Sequence, residues 1–192
     1  MESRIDTVAM LPTATTTNLP LKPGSWALDK AHARVGFSVR HLGVSKVRGY
    51  FPDVDADLVV GETLEDTAVT ASIDLGSIDT GNAERDAQVR GSEILDVEQR
   101  PTMTFQSSGI RGSEDAWTLD GHLTIGDVTN PVSLDVEFGG VADVVFDGTR
   151  HAGFEARGEL RRKDFGLYFG PLDPLLGQVL KIELDLEFIE PA

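Results

Sequence analysis

An all-β domain is the fold class that the sequence predicts, and two observations indicate it. The first is one-for-one alternation of apolar and polar residues, clearest where Leu180, Ile182, Leu184, Leu186 and Phe188 are separated by charged residues. Because successive side chains on a strand point to opposite faces, each such strand has one apolar and one polar face. The second is the regular return of short alternating segments with turn residues between them. Together they favour an antiparallel sheet closed into a barrel, or a two-sheet sandwich.

Nine segments carry this strand pattern. They are residues 26–29, 35–41, 54–60, 69–75, 103–109, 117–125, 132–138, 154–160 and 180–188. Turn residues lie between most of them, namely Gly43, Pro52, Gly112 with Ser113, Asn130-Pro131, Gly139-Gly140 and Asp147-Gly148.

One segment breaks the alternation and predicts a helix. Asn82 is a suitable N-cap for a helix over residues 83–90, and Gly91 follows its end. Asp86 and Arg90 are four residues apart and are predicted to pair on the helix surface. A second short helix or loop is predicted at 171–177.

Composition limits the function. The chain has 192 residues, enough for one domain, with 17 Lys and Arg against 32 Asp and Glu, a net charge of −15. Nucleic acid and anionic membranes should repel such a chain, except at a local basic patch. Arg40, His41, Lys46 and Arg48 form one basic stretch. The chain has no cysteine, which leaves out disulfides and thiolate chemistry.

The N-terminal segment differs in composition from the rest. Residues 1–23 are rich in Thr and Pro and are interpreted as a flexible tail, with the domain at 24–192. Early acidic residues and Pro12 do not fit a secretory signal, so we expect a cytoplasmic protein.

The apolar face leaves two alternatives for the interior. It carries large residues (Phe37, Phe51, Phe105, Phe138, Phe154 and Phe188) and small ones (Ala71, Ser107, Gly121, Ala156 and Gly158). The two sets could interdigitate as an ordinary filled core, and the domain would then be a protein-interaction module. Alternatively, the small residues leave a lumen, since an eight-stranded barrel is just wide enough for one small ligand.

Motifs for catalysis and metal binding are weak. His32 and His41 flank one predicted strand and could meet in space as acid and base, but no nucleophile accompanies them. Asp53, Asp55 and Asp57 lack the glycine and glutamate of a calcium loop, and alternation explains them as a solvated face. We therefore predict no catalytic residues, no metal and no cofactor. An enzyme using His32 or His41 as acid–base is the alternative.

Ordered fragments along the chain resemble one family. They are Trp26 with Asp29 and His32, the run 37–41, the run 48–51, the run 77–80 followed by Arg85-Asp86, Pro101 with Phe105, the run 121–125, the run 128–132, and the run 164–166. From about residue 24 to 190 the chain resembles the YceI-like family of polyisoprenoid-binding proteins. It departs from the family pattern at Ala33, Gln88 and Gly126-Asp127.

The resemblance implies an antiparallel eight-stranded lipocalin-like β-barrel with one short helix, which holds a long-chain isoprenoid or similar amphiphilic lipid in a hydrophobic tunnel, as carrier or store. It also implies a bound isoprenoid or fatty-acyl lipid, a homodimer and at most transient membrane contact. The enzyme alternative would then modify such a lipid, using His32 or His41. On this interpretation the ligand-binding residues are Phe37, His41, Phe51, Ala71, Phe105, Ser107, Trp117, Gly121, Phe154 and Gly158. The head-group candidates are His32, Arg48, Arg85 and Arg162.

Overall fold

A closed antiparallel β-barrel forms the fold. In the computed structural model, residues 19–113, 116–144 and 148–192 are described. The strands of this part of the chain are β1 (Gly24–Leu28), β2 (Arg34–His41), β3 (Ser45–Phe51), β4 (Val54–Val60), β5 (Ala68–Asp74), β6 (Thr102–Ser113), β7 (Ala116–Ile125), β8 (Val128–Asp143), β9 (Arg150–Arg161) and β10 (Leu176–Ile189). One α-helix, α1 (Ala83–Arg90), and four short 3-10 helices (Lys30–His32, Leu75–Ser77, Arg162–Phe165 and Gly170–Leu175) complete them.

Eight strands close the ring, in the order β1, β4, β5, β6, β7, β8, β9 and β10, with β10 pairing back to β1. The first part of β10 pairs instead with β2, so β1 and β2 occupy one place beside β10 in succession. The next position in the wall is divided too, because β4 pairs with β1 and β3 pairs with β2. The predicted eight-stranded barrel is therefore confirmed, with two of its wall positions each divided into two strands.

Each predicted strand overlaps an observed one, but β3 was missed because Gly49 interrupts its apolar face between Val47 and Phe51. The turn predicted at Asn130-Pro131 is wrong. Both residues lie within β8, with Pro131 opposite His122, because the chain reverses earlier, at Gly126-Asp127. The predicted Gly139-Gly140 turn is wrong as well: it is a register irregularity inside β8, where Gly140 has a φ of +107°.

Helix α1 is confirmed at 83–90, and the Asn82 side chain accepts a hydrogen bond from the Arg85 amide at 2.9 Å. The predicted Asp86–Arg90 pair is wrong. Asp86 Oδ1 accepts from the Thr80 amide at 3.0 Å, while Arg90 donates to the Gly76 and Ile78 carbonyls at 2.7 Å. Both side chains therefore attach α1 to the segment before it.

The two remaining predicted segments lie at opposite ends of the chain. The helix or loop predicted at 171–177 is the 3-10 helix Gly170–Leu175 followed by the start of β10. Of the predicted N-terminal tail, residues 1–18 lie outside the described residues. Residues 19–22 pack on the barrel: Leu21 is buried, and Lys22 O accepts from Trp26 Nε1 at 2.9 Å.

Candidate functional site

The barrel encloses an inner cavity of about 180 Å³ whose side chains are all apolar. Leu58, Trp117, Leu186 and Phe188 border it at the end where β1 meets β10, and Leu19 from the N-terminal segment borders it too. The interior is hollow, as the lumen alternative predicted, and it offers a ligand only apolar contacts.

A second cavity, of about 450 Å³, lies at the other end of the barrel and forms its mouth. The two cavities share five lining residues (Phe37, Phe51, Met103, Leu160 and Ile182), so they lie end to end. Exposed residues such as Lys46, Gln88 and Leu175 border the mouth, which places it at the surface. Along β10, the lining from Phe188 to Leu176 spans about 40 Å of strand, or roughly 30 Å along a barrel axis after strand tilt.

Polar side chains border the mouth and not the inner cavity. They are His41, Ser45, Lys46, Thr80, Arg85, Gln88 and Arg162. Arg85 is half-buried, and its Nε and Nη2 donate to the Thr80 hydroxyl and carbonyl at 2.7 and 2.9 Å. These bonds hold the guanidinium at the cavity wall and leave Nη1 for another acceptor. The site is therefore amphiphilic, with an apolar interior and a partly cationic mouth.

Arg162 has a structural role at the mouth. Its side chain is fully buried, and it donates to the Gly177 and Leu167 carbonyls at 2.9 Å and to the Asp173 carboxylate. Together with Lys163, it holds the pKa of Asp173 well below the usual range. These contacts fix the 3-10 helix Gly170–Leu175 against the barrel wall.

The predicted ligand-binding residues divide into two groups. Phe37, Phe51, Ala71, Phe105, Trp117 and Phe154 border the inner cavity, and Phe37, Phe51 and His41 border the mouth. Ser107, Gly121 and Gly158 border neither of these two cavities.

The two glycines lie beneath larger side chains. A Cβ on Gly121 would overlap the Phe105 ring, and one on Gly158 would lie 2.6 Å from Leu134 Cδ2. Ser107 Oγ accepts a hydrogen bond from the Val69 amide at 2.8 Å. The glycines therefore let neighbouring side chains lie flat on the wall, which widens the lumen indirectly.

The four head-group candidates do not converge. Arg85 and Arg162 border the mouth, but Arg48 and His32 border neither cavity. Arg48 lies opposite Ser38 in the β2–β3 pairing and is exposed. His32 lies beyond the other end of β2 from His41, about 25 Å away along the strand. The predicted meeting of His32 and His41 is therefore wrong, because the strand between them is extended.

His32 belongs instead to a hydrogen-bonded cluster outside the lumen. Its Nδ1 lies 2.8 Å from Asp29 Oδ2, and His151 Nδ1 lies 2.5 Å from Glu187 Oε1. The His32 contact lowers the pKa of Asp29 and raises the pKa of His32. Ligand atoms of Asp29, His151 and Glu187 lie within 4.8 Å of one another, close enough to share a metal ion. All three already have protein hydrogen-bond partners, which explains the cluster without a metal.

Sequence reasoning missed the part of the site that does not come from strands. Gln88, Val89, Ile94 and Leu95 border the mouth from α1 and the segment after it. The helix has no apolar stripe that would have indicated a lining role. Within the described residues, Trp117 Nε1 is a buried side-chain donor without a hydrogen-bond partner.

A closed antiparallel barrel with an apolar lumen and a polar mouth is a lipocalin-like ligand-binding barrel. Residues 26–188 match a YceI-like domain, and the chain is 36% identical over 163 residues to Protein YceI from Salmonella arizonae and from Salmonella heidelberg, covering 82% of this chain and 85% of each relative. The chain therefore belongs to the YceI-like family.

Solved structures share the fold. The Campylobacter jejuni YCEI protein matches with a TM-score of 0.70 at 29% identity, over 86% of this chain and 97% of that one. Burkholderia cenocepacia BcnA matches with a TM-score of 0.71 at 21% identity, over 83% and 98%. A polyisoprenoid binding domain from Saccharophagus degradans, implicated in plant cell wall breakdown, matches with a TM-score of 0.65 at 16% identity, over 86% and 98%. Across the described residues, no helix has the length and apolar character needed to span a membrane.

Proposed function

We propose that this protein binds one long-chain isoprenoid or similar amphiphilic lipid, with its tail in the inner cavity and its head group at the mouth, as a carrier or store. The observation that carries the proposal is the end-to-end arrangement of a lumen lined only by apolar side chains and a mouth that contains Arg85, Lys46 and Gln88. The polyisoprenoid-binding relative with the same fold supports it.

The physical gain comes from the tail. Removing one CH₂ from water gains about 0.8 kcal/mol, so a five-carbon isoprene unit gains roughly 3–4 kcal/mol. A bilayer offers the tail nearly the same gain, so the tunnel makes the lipid soluble without drawing it strongly out of a membrane. Selectivity then depends on the length of the tunnel and on contacts between the head group and the mouth.

The mouth favours an anionic or acceptor-rich head group. Arg85 is held in place by Thr80 with one guanidinium nitrogen still available, and Lys46 has no ion pair among the described residues. A guanidinium beside a half-buried cavity binds phosphate or carboxylate oxygens through charge-assisted hydrogen bonds. The predicted alternative is an enzyme that uses His32 or His41. The two side chains lie at opposite ends of β2, so they form no acid–base pair, and of the two only His41 borders the mouth.

The test has two parts. Native mass spectrometry and organic extraction of the purified protein should reveal a bound long-chain lipid. After delipidation, affinity for prenyl alcohols should rise with each added isoprene unit and stop rising once the extended chain exceeds about 30 Å. A protein that is repeatedly free of ligand, and that takes up neither prenyl chains nor fatty acids, would contradict the proposal.

A further inference from the structure

The mouth of the barrel is surrounded by exposed apolar side chains. Among the described residues, six large hydrophobic residues are exposed, and five of them lie at this end: Leu42, Val44, Tyr168, Leu172 and Leu175. We call these five residues the apolar lip. Leu42 N donates to Leu175 O at 2.8 Å, which joins the β2–β3 hairpin tip to the 3-10 helix Gly170–Leu175. Clustered exposed apolar residues of this kind mark an interaction site.

The tip of the β2–β3 hairpin carries an exposed leucine in a backbone conformation that is unfavourable for it. Leu42 has a φ of +53° and Gly43 a φ of +73°, the two positive values of a tight hairpin turn. Asn, Asp or Gly normally occupies both positions, because a branched carbon side chain is strained there. Leu42 is nevertheless 57% exposed and Val44 is 82% exposed. A residue such as Leu42, which strains its turn and is not buried in return, indicates a functional role.

The same hairpin is basic in an acidic protein. Residues 40–48 contain Arg40, Lys46 and Arg48 and no carboxylate, whereas the whole chain has a net charge of −15. Arg40 and Lys46 are cross-strand neighbours, and Arg48 follows on the same strand. Across the described part of the chain, none of the three forms an ion pair. Their charge is therefore available to an anionic surface.

We propose that the apolar lip and these three cations dock the barrel, mouth first, on the surface of an anionic lipid bilayer. The apolar side chains enter the interface while the cations lie at the level of the head groups. A second copy of the chain is a poorer occupant, because a two-fold contact would bring the same cations of both copies together. The value of docking rests on the proposed function, since a lipid tail could then pass between bilayer and tunnel without crossing water.

Vesicle co-sedimentation of the full chain tests the docking. Wild type should bind phosphatidylglycerol vesicles at low ionic strength, more tightly than phosphatidylcholine vesicles, and should be released by salt. Leu42→Asn should weaken binding about tenfold by removing an inserted side chain, with an equal or higher melting temperature because Asn tolerates the turn. Val59→Asn is the matched control, since Val59 is 45% exposed on β4, and it should bind like wild type.

The charge contribution is tested separately. Replacing Arg40, Lys46 and Arg48 together with Gln should weaken binding to phosphatidylglycerol by about a hundredfold, at about fivefold per cation. The proposal is overturned if wild type ignores these vesicles, if Leu42→Asn binds as wild type does, or if sedimentation shows that the lip variants instead dissociate a dimer.

Failure of docking can be distinguished from failure of lipid binding. Prenyl chains delivered from detergent reach the lumen without a bilayer. Leu42 borders neither cavity, so Leu42→Asn should keep the same equilibrium uptake as wild type and lose only the rate of transfer from vesicles. Docking without uptake by any variant would contradict the proposed function alone, and uptake without docking would contradict this inference alone.

Discussion

Ala156→Phe separates a hollow barrel from a filled one by the sign of its effect on stability. Ala156 is 4% exposed, borders the inner cavity from β9 and lies between Val136 and Leu184 of the neighbouring strands. An unfilled cavity costs about 24 cal/mol per Å³, so the cavity of about 180 Å³ costs the empty protein roughly 4 kcal/mol. A phenyl ring that fills about half of this volume should recover about 2 kcal/mol.

The same substitution should weaken ligand binding. A ring that displaces one isoprene unit from the lumen removes about 4 kcal/mol of tail burial, or about a thousandfold in affinity. Delipidated wild type and variant would be compared by urea denaturation and by titration with a prenyl alcohol. The stabilisation should also raise the melting temperature by about 4–8 °C in a domain of this size.

Glu155→Phe is the matched control, because Glu155 is the preceding residue on β9 and is exposed on the outer face. It should change affinity little and lose only a surface ion pair with Arg157. If the core were full, Ala156→Phe would instead destabilise by about 1–3 kcal/mol through overpacking. A destabilised Ala156→Phe variant that binds the prenyl chain as wild type does would refute the reasoning.

Two further predictions concern groups outside the lumen. The raised pKa of His32 stabilises the fold below the ordinary pKa of 6.5, and this stability is lost as the pH rises through the raised pKa. The lowered pKa of Asp29 stabilises the fold above the ordinary pKa of 3.8, and this stability is lost as the pH falls through the lowered pKa. His32→Ala should therefore reduce the free energy of unfolding most between about pH 4 and 6.5, and urea titrations showing an equal loss at about pH 9 would contradict this. Asp173→Asn should lower the midpoint of urea denaturation clearly, because it leaves the buried Arg162 guanidinium without its carboxylate. Lys163→Ala is the comparison, because Lys163 is partly exposed and its loss should cost under about 1 kcal/mol of stability. Equal losses of stability in the two variants would show that the buried Arg162–Asp173 pair is not the cause.

The strands were predictable because their alternation is a local signal. Residues 54–60 were predicted with the bounds that β4 has, and residues 117–125 differ from β7 by one residue. β3 was missed because one of its inward positions is Gly49, which lies under the Phe37 ring and adds no apolar side chain to the pattern. The turn predicted at Pro131 is wrong because an antiparallel strand tolerates proline at a position where its backbone amide makes no hydrogen bond in the sheet.

The site was only partly predictable for a different reason. Residue size along a strand indicates which side chains face inward, but it does not show which of them lie over others. Gly121 and Gly158 face the interior and are nevertheless covered, by Phe105 and Leu134. The charges of Arg48 and Arg162 are visible in the sequence, whereas their locations, one on the outer wall and one fully buried, depend on the register of distant strands.

By itself the sequence determined an all-β domain, one capped helix, an acidic surface and, through ordered fragments such as the run 77–80 with Arg85, membership of a family. These properties follow from local periodicity and from residue identity, which need no knowledge of neighbours in space. Only the tertiary structure decided that the barrel is hollow and that its polar end contains Arg85 but not His32. A lumen is the volume that packed side chains leave unfilled, and this volume depends on contacts between residues that are far apart in the chain.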